Sequence, residues 1–366
     1  MDKLKVKASF GNSGNSRVDT SAAYGSYSYN SGDYYGGLMG ATQSSAPNPG
    51  LSWENTYILN AGVNVAFLDG RIDLEVEAYD KYTTGLLYNG RVSSIITDAS
   101  VTRNVGEIEN RGLEFTISTK NIDNPKFKWS TDFNGSFNRN VVRKLYKDMH
   151  TGFFNSVWIV GASKSDWWLS RWAGVDPATG SPLWYTVDGD ITTTFSYDNR
   201  VLLPEYSQEP DLSGGMSNTL SFGPFSARIM MTYSFGGWTH TTYTNDDGND
   251  IIGFNTVVED LDHWRKPGDV SKNPKYVYKS SSKSTMSSTR FLYSKTNVQL
   301  KNITLTYTFP ESLCRKARLS GASFSLMGDN LYFWCPGQSK SHNSYKTLAY
   351  TMGMTRSVSG QLTLNF

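Results

Sequence analysis

The chain has 366 residues, of which 38% are hydrophobic, 14% aromatic and 19% charged, and its formal net charge is +2. It holds no apolar run of about 18 residues for a transmembrane helix, and its balanced charge argues against nucleic-acid binding through phosphate neutralisation. The aromatic content excludes a disordered chain, and two cysteines exclude a disulfide scaffold or a cysteine-rich zinc module. These exclusions leave a β-rich globular protein or a transmembrane β-barrel.

Apolar and polar residues alternate along ten segments, as expected for β-strands with two different faces. The N-terminus lacks the apolar core of a signal peptide and begins inside such a pattern, where Leu4, Val6 and Phe10 alternate with polar residues. The C-terminus ends inside another, and the alternation is weakest at 214–222 and 317–327. We predict strands near residues 4–10, 56–66, 71–81, 110–119, 126–138, 214–222, 224–234, 296–309, 317–327 and 358–366.

The two faces of these strands differ in charge. Phe127, Trp129 and Phe133 share one face of their strand, whereas Lys128 and Asp132 lie on the other. A soluble β-sandwich buries its apolar face inside, whereas a membrane barrel turns it to lipid, where one Lys or Arg at the midplane costs roughly 2–4 kcal/mol. The faces alone leave both architectures open.

The lengths of the connections favour the barrel. Short and long gaps alternate between the predicted strands along the whole chain, and outer-membrane barrels have short periplasmic turns and long extracellular loops. With a periplasmic C-terminus, every long gap falls on the extracellular side. The short gaps are 67–70, 121–125, 223–224 and 310–316, and the long gaps are 11–55, 82–109, 139–213, 235–295 and 328–357.

No motif for catalysis or for a metal stands out. The four histidines are dispersed among the long loops without metal-ligand spacing, and we interpret them as solvated: His150, His240, His263 and His342. Cys314 lies in a predicted periplasmic turn and Cys335 in a predicted outer loop, so the chain is not expected to form a disulfide between them. Residues 245–250 lack the regular spacing of a calcium loop, and 174–180 predicts a tight turn, because no Lys-Ser/Thr or helix follows for a phosphate loop.

Aromatic residues are concentrated in two long loops. Exposed aromatic rings stack on sugars or form partner interfaces, and the alternative is that such long loops have small cores of their own. The N-terminal loop holds Tyr24, Tyr27, Tyr29, Tyr34 and Tyr35. The candidate ligand or partner aromatics of the central loop are Trp158, Trp167, Trp168, Trp172, Trp184 and Tyr185.

Several segments, in the same order, resemble the SusC/RagA family of TonB-dependent outer-membrane transporters. The resemblance covers nearly the whole chain. The segments are 4–15 (LKVKASFGNSGN), 48–56 (NPGLSWENT), 104–114 (NVGEIENRGLE), 172–180 (WAGVDPATG), 290–292 (RFL), 300–307 (LKNITLTY) and 328–331 (GDNL).

This resemblance implies a position in the barrel and a set of partners. Members of the family have a plug domain and a 22-stranded barrel, so residues 1–366 resemble the C-terminal portion of the barrel, about ten antiparallel strands, without the plug and the earlier strands. Phe366 fits the C-terminal signal that the barrel-assembly machinery reads. The expected partners are a SusD-like surface lipoprotein, the TonB complex through the plug-containing region, and an oligosaccharide or peptide substrate; no cofactor and no nucleic acid are expected.

Two rival architectures stay open on the sequence. A self-contained porin-like barrel of ten strands predicts that the strand with Leu4 pairs with the strand with Phe366. A soluble carbohydrate-binding β-sandwich predicts that Phe127, Trp129, Phe133 and Phe137 are buried against a second sheet. An outer-membrane lipase-type enzyme is the weakest alternative, because no serine and histidine have a suggestive spacing.

Overall fold

The computed structural model describes residues 1–16, 18, 20–29, 32, 34–91, 100–145, 151–153, 156–240, 262–277, 283–336 and 355–366. Strands account for most of this structure. Within these ranges no helix is both long and apolar enough to cross a membrane. The fold is an antiparallel β-sheet with an elaborate layer of loops at one end, and it confirms the all-β prediction.

Ten long strands pair antiparallel in chain order and form one continuous sheet. Each strand overlaps one of the ten predicted segments. The strands are β1 (Lys3–Asn15), β2 (Glu54–Phe67), β3 (Ile72–Arg91), β4 (Ser100–Asp123), β5 (Phe127–Leu145), β6 (Pro210–Phe222), β7 (Phe225–Gly236), β8 (Asn297–Thr308), β9 (Gly321–Trp334) and β10 (Ser357–Asn365).

The register places all the apolar faces on the same side of the sheet. Successive residues of a strand point to opposite faces, so a shift of one residue would reverse a whole strand. One row of mutually paired apolar residues crosses nine strands: Leu4, Val65, Leu74, Ile117, Phe133, Met216, Met231, Leu300 and Tyr332. The next row, one residue along, lies on the other face and is polar or glycine: Lys5, Asn64, Glu75, Thr116, Asn134, Gly215, Thr232 and Gln299.

We call these two surfaces the apolar face and the polar face. Many large side chains of the apolar face are solvent-exposed, among them Leu4, Phe10 and Leu305. A soluble protein rarely exposes a continuous apolar surface of this extent, whereas a barrel covers it with lipid. Trp129 and Phe137 are exposed, and Phe127 and Phe133 are only half-buried, so the β-sandwich prediction is wrong.

The connections alternate in length as predicted, with one difference. β3 and β4 continue as a paired hairpin, from the cross-strand pair of Thr84 with Glu107 to the pair of Arg91 with Ser100. Most of the predicted loop 82–109 is therefore strand. The side-chain alternation breaks there at two register shifts beside Leu86, which hid the strand from the sequence pattern. The long strands therefore extend beyond the apolar face at the loop end.

The last short turn contains a helix that the sequence pattern did not predict. The helix α1 (Glu311–Lys316) follows Pro310 and buries Cys314, and Arg318 adopts a φ of 59°. β9 consequently begins at Gly321 rather than near residue 317. Positive φ at a non-glycine residue belongs to a turn, so the predicted start of that strand is wrong by a few residues.

The loop end holds several small sheets and short helices. The helix Thr20–Tyr24 lies in the first loop, and the 3₁₀ helices Tyr197–Asn199 and Thr289–Phe291 lie in later ones. Two short strands join the main sheet, Ser26–Ser28 and Thr42–Ser45. The remaining short strands are Tyr34–Tyr35, Leu38–Met39, Thr151–Phe153, Ser156–Trp158, Asp166–Ser170, Trp172–Val175, Pro182–Tyr185, Ile191–Thr192, Arg200–Ser207, Trp238–His240 and Leu292–Ser294.

The main sheet is open. In the described part of the chain, β1 pairs only with β2, and β10 pairs only with β9. A closed ten-stranded barrel would require the strand with Leu4 to pair with the final strand. The two strands do not pair here, so the prediction of a self-contained ten-stranded barrel is wrong. An open antiparallel sheet with one exposed apolar face has the geometry expected of a segment of a larger barrel wall.

Candidate functional site

The polar face of β1–β5 carries paired charges. The Lys7 ammonium forms an ion pair with Glu75, although β2 lies between their strands. Lys7 lies opposite Gly62, and a Cβ at Gly62 would come within 3.4 Å of the Glu77 side chain. The missing side chain on β2 therefore leaves room for the long side chains of β1 and β3 to meet.

The polar face of β6–β10 is almost free of charge. Its side chains are mainly hydroxyls and amides that bond to one another, as Thr306 Oγ1 and Ser325 Oγ do at 2.8 Å. Arg228 bonds to Ser217, and Asp329 accepts from the Asn302 amide at 2.7 Å. This half of the wall offers neutral hydrogen-bonding groups, which suit the water-filled interior of a barrel.

The central loop has an aromatic core of its own. Trp184 is 1% exposed and lies edge-on to Trp172 and to Phe195, with ring centroids 4.8 and 5.0 Å apart. The Arg290 guanidinium lies 4.9 Å from the Trp172 ring centroid. Edge-on aromatic pairs and cation–π contacts stabilise such a cluster beyond its apolar area.

A second core joins strands that are distant in the sequence. Leu169, Leu203 and Leu292 are buried together, and Trp167 and Trp238 pack against them. The Trp167 indole N–H donates to the Trp238 carbonyl at 3.3 Å. The loop layer is therefore cross-linked by buried apolar contacts between its central and later segments.

His240 is half-buried against the rings around this second core, so its interpretation as a solvated loop residue is wrong. Its ring lies 5.8 Å from Trp167 and 5.9 Å from Phe291, measured between centroids. Burial lowers the pKa of His240 to about 4, and no described group bonds to its Nε2 atom. The imidazole is neutral at physiological pH and packs as an aromatic ring between Trp167 and Phe291.

The six candidate aromatics of the central loop divide into different environments. Trp184 is core, Trp158 packs against Ile108, Val142 and Leu145, and Trp167 and Trp172 pack in the two clusters above. Trp168 is half-buried, and Tyr185 is half-buried with the Arg171 guanidinium 5.4 Å from its ring centroid. The structure thus brings four of the six into loop cores or against them, and a ligand role stays a prediction, most open at Trp168 and Tyr185.

The N-terminal loop presents aromatic rings to solvent. Tyr24, Tyr27 and Tyr29 are all largely exposed, and the backbone of Tyr34 and Tyr35 forms a small hairpin with Leu38–Met39. A tyrosine that is left in solvent is available to stack on a ligand or a partner.

A crevice of about 710 Å³ lies where β5 and β6 separate at the loop end. The two strands pair only as far as Ser136 and Ser213, and residues 159–163 border the gap. Burial raises the pKa of the Asp166 carboxyl in its wall, and the Ser163 N–H, at 3.2 Å, partly offsets that rise. Glu209 accepts from Ser165 Oγ at 2.8 Å. The sequence pattern gives no sign of this crevice, because it predicts residues 139–213 as one undivided loop.

The remaining motifs are structural or lie outside the described residues. Residues 174–180 form the predicted tight turn, in which the Asp176 carboxylate accepts from the Ala178 N–H at 3.0 Å and Gly180 has a φ of 71°. Cys314 and Cys335 lie at opposite ends of the sheet, as predicted, and no disulfide joins them. In the described ranges, no three His, Cys, Asp or Glu side chains are grouped to hold a metal ion. His150, His342 and residues 245–250 lie outside the described ranges, and His263 packs on Tyr276.

Curated proteins similar to this chain are TonB-dependent receptors. One from Formosa agariphila is 24% identical and covers 90% of this chain, and a second from the same organism is 26% identical over 89% of it. The TonB-dependent receptor SusC of Bacteroides thetaiotaomicron is 31% identical over 40% of the chain. No family model matches the sequence.

Solved structures of a peptide importer share the fold. The RagAB peptide importer in its open-open state superposes with a TM-score of 0.82 at 25% identity and covers 99% of this chain. The RagAB peptide transporter gives a TM-score of 0.79 over 91% of it. The chain spans about a third of the length of the curated relatives from Formosa agariphila, 36% and 34% respectively, and 40% of the open-open importer chain.

Proposed function

We propose that this chain, which belongs to the SusC/RagA family of TonB-dependent receptors, forms part of the wall of a transporter that imports glycan or peptide fragments. Its place is the outer membrane of a Gram-negative bacterium. The observation that carries the proposal is the two-faced sheet, apolar on one face and hydrogen-bonding on the other, with long loops at one end. The similar proteins are receptors and importers rather than enzymes, which supports transport over catalysis.

We assign residues 1–366 to the C-terminal portion of the barrel, with the plug domain and the earlier strands outside this sequence. The open edges of β1 and β10 support this assignment, since each needs a further strand in lipid. The nearly uncharged half of the polar face, on β6–β10, suits glycans and peptides alike, because both are rich in neutral donors and acceptors. A SusD-like lipoprotein at the loop end and the TonB complex at the turn end are the proposed partners.

The test is uptake by the receptor in its own host. Deleting the receptor gene should abolish import of the labelled oligosaccharide or peptide that the host grows on, and collapsing the proton gradient should do the same in the wild type. A tag on the receptor should recover a surface lipoprotein in stoichiometric amount. Unchanged uptake after deletion, or import that survives loss of the gradient, would contradict the proposal.

The loop aromatics give a finer test of substrate contact. Trp168→Ala should reduce uptake while the receptor assembles at the wild-type level, because Trp168 is half-buried with its ring outside the buried clusters. Trp184→Ala is the matched control, since loss of a 1%-exposed ring should loosen the loop core itself. Equal uptake by wild type and Trp168→Ala would remove Trp168 from the ligand path.

Phe366 gives a test of assembly. We propose that the assembly machinery reads this terminal aromatic, which is 93% exposed directly after β10. Phe366→Ala should lower the amount of heat-modifiable receptor in the outer membrane, whereas Phe366→Tyr should retain it. Normal assembly of Phe366→Ala would exclude that role.

A further inference from the structure

A row of charged residues lies on the apolar face, directly beyond the apolar residues at the loop end. Ala78, Leu113 and Phe137 are mutually paired on β3, β4 and β5, and Leu113 and Phe137 are exposed. Two residues further towards the loops, Asp80, Arg111 and Arg139 form the next row on the same face. Two residues of strand correspond to about 7 Å, so these charges sit at the edge of the lipid-facing surface.

Two arginines pair with one buried carboxylate there, and a third arginine lines the same hollow. The Glu109 side chain is 7% exposed and forms ion pairs with Arg111 and with Arg143, and Arg111 also pairs with Asp80 at 3.0 Å. Arg139 is exposed and has no ion pair or hydrogen bond from its guanidinium among the described residues. The cluster therefore holds three guanidinium groups against two carboxylates, with one positive charge in excess.

Arg111 and Arg139 are cross-strand neighbours, and without a bound anion their like charges repel each other. The two residues are direct partners across β4 and β5, and like charges directly opposite in a sheet are destabilising. Both also line a hollow of about 330 Å³ together with Glu109, Val141 and Arg143. An anion placed in this hollow would relieve the repulsion between the two arginines.

We propose that Arg111, Arg139 and Arg143 bind the phosphate of a lipid headgroup in the outer leaflet. The site has the right depth, because its charges begin where the exposed Leu113 and Phe137 end. Guanidinium groups bind phosphate through paired N–H donors, and they can do so while their stems lie along apolar surface. The acyl chains would cover the apolar face of β4 and β5 below. This inference rests on the membrane location and not on what the receptor transports.

The two acidic residues in the neighbouring crevice, Asp166 and Glu209, do not pair with Arg139. Arg139 also borders the crevice that holds Asp166 and Glu209, but it forms no ion pair with either. Glu209 bonds to Asn138 and Ser165, and Asp166 bonds to the Ser163 backbone. Their oxygens are engaged within the loop layer, which leaves Arg139 directed to an external anion.

The experiment is a lipid titration of the purified full-length receptor in neutral detergent, followed by native mass spectrometry. Phosphatidic acid, whose headgroup is a bare phosphate, is compared with diacylglycerol of the same acyl chains. Arg139→Gln removes the arginine that has no partner among the described residues, and Arg228→Gln removes another exposed arginine, from the polar face. We expect the wild type to retain phosphatidic acid selectively and Arg139→Gln to weaken retention about tenfold, typical of one lost charge-assisted contact. Arg228→Gln should match the wild type.

Three results would overturn the proposal. They are equal retention of diacylglycerol and phosphatidic acid, equal retention by Arg139→Gln and Arg228→Gln, and full competition by inorganic phosphate at the same concentration as the lipid. Heat-modifiable migration of each variant verifies its folding. Arg139→Lys, which keeps the charge but not the paired donors, should fall between wild type and Arg139→Gln and provides a second measure.

Discussion

Ile117 and Thr116 are neighbours in β4, and they belong to different surroundings because successive strand residues point to opposite faces. Ile117 lies in the apolar row between Leu74 and Phe133, and Thr116 lies in the polar row between Glu75 and Asn134. At the scale of one residue, each strand position faces either lipid or water, and the two environments alternate along every strand.

Arginine substitutions at these two positions should therefore differ sharply. Ile117→Arg should cost roughly 2–4 kcal/mol, because the charge is placed in lipid, whereas Thr116→Arg should be nearly neutral. The measurement is urea unfolding of the full-length receptor in lipid, followed by heat-modifiable mobility. Equal destabilisation by the two substitutions would show that the face of Ile117 is not in lipid.

His240 makes the stability of the loop layer depend on pH. Its folded pKa, about 4, is below the ordinary value of 6.5, so the unfolded loop binds a proton more readily than the folded one. The stability that depends on the neutral ring is complete above about pH 6.5 and is lost as the pH falls towards 4, by an amount on the order of 1–3 kcal/mol.

We therefore expect acidification from pH 7 towards pH 4.5 to loosen the strand Trp238–His240. Hydrogen exchange of that strand in the full-length receptor should rise relative to the His240→Phe variant measured at the same pH. The comparison at equal pH cancels the intrinsic pH dependence of exchange. A pH profile that is the same in both proteins would exclude protonation of His240 as the cause.

At the scale of the element, aromatic rings cover glycines across the sheet. Tyr79 pairs with Gly112, Phe115 with Gly135, and Tyr233 with Gly214. The Tyr233 hydroxyl continues over Gly214 and donates to the Asn134 carbonyl at 2.6 Å. Such pairs fix the register of β3–β7, because a one-residue shift would place each ring against a side chain.

Gly214→Ala should destabilise the sheet by about 1–3 kcal/mol, since overpacking forces neighbouring groups to move. Its Cβ would lie 2.1 Å from the Asn134 carbonyl oxygen and 2.6 Å from the Tyr233 hydroxyl. Gly11→Ala, in β1, is the matched control, because nothing lies within 4 Å of a Cβ there. Denaturant midpoints of the two variants in the full-length receptor decide the matter, and equal midpoints would contradict the packing argument.

At the scale of the whole molecule, the two open edges dominate. β1 and β10 each leave a row of backbone N–H and C=O groups without a partner strand in the described structure. In lipid no water satisfies these groups, so a membrane sheet must close or pair with further strands. The ten strands are consequently one part of a wall and not a complete barrel.

Expressed alone, residues 1–366 should neither reach the outer membrane nor form a stable barrel. The full-length receptor, produced in the same cells, is the control. The readout is outer-membrane fractionation with heat-modifiable migration. A folded, heat-modifiable band from this chain alone would show that it closes without additional strands.

All ten long strands could be predicted from alternation, because lipid and water impose a strict two-residue period on each. The alternation of long and short connections also indicated the orientation. The pattern failed at β3 and β4 beyond Thr84, where the hairpin extends past the apolar face and register shifts interrupt the period. It failed again before Gly321, where a short helix occupies the turn.

The loop site was much less accessible to sequence reasoning. The clustering of tryptophans in 158–184 was visible, but whether each ring faces a ligand or a core was not. That outcome depends on contacts such as Trp167 with Trp238, which join segments about 70 residues apart. Nothing in the local sequence around His240 marks it as a ring that packs against Trp167 and Phe291.

The sequence by itself determined the two faces of each strand, the number and order of the long strands and the end at which the long loops lie, because solvent imposes these features locally. Only the tertiary structure decided that the sheet stays open at β1 and β10, that Trp184 is core and His240 packs against core rings, and that Arg111 meets Arg139. Those outcomes depend on strand pairing and register and on contacts between distant segments, which no local pattern of residues specifies.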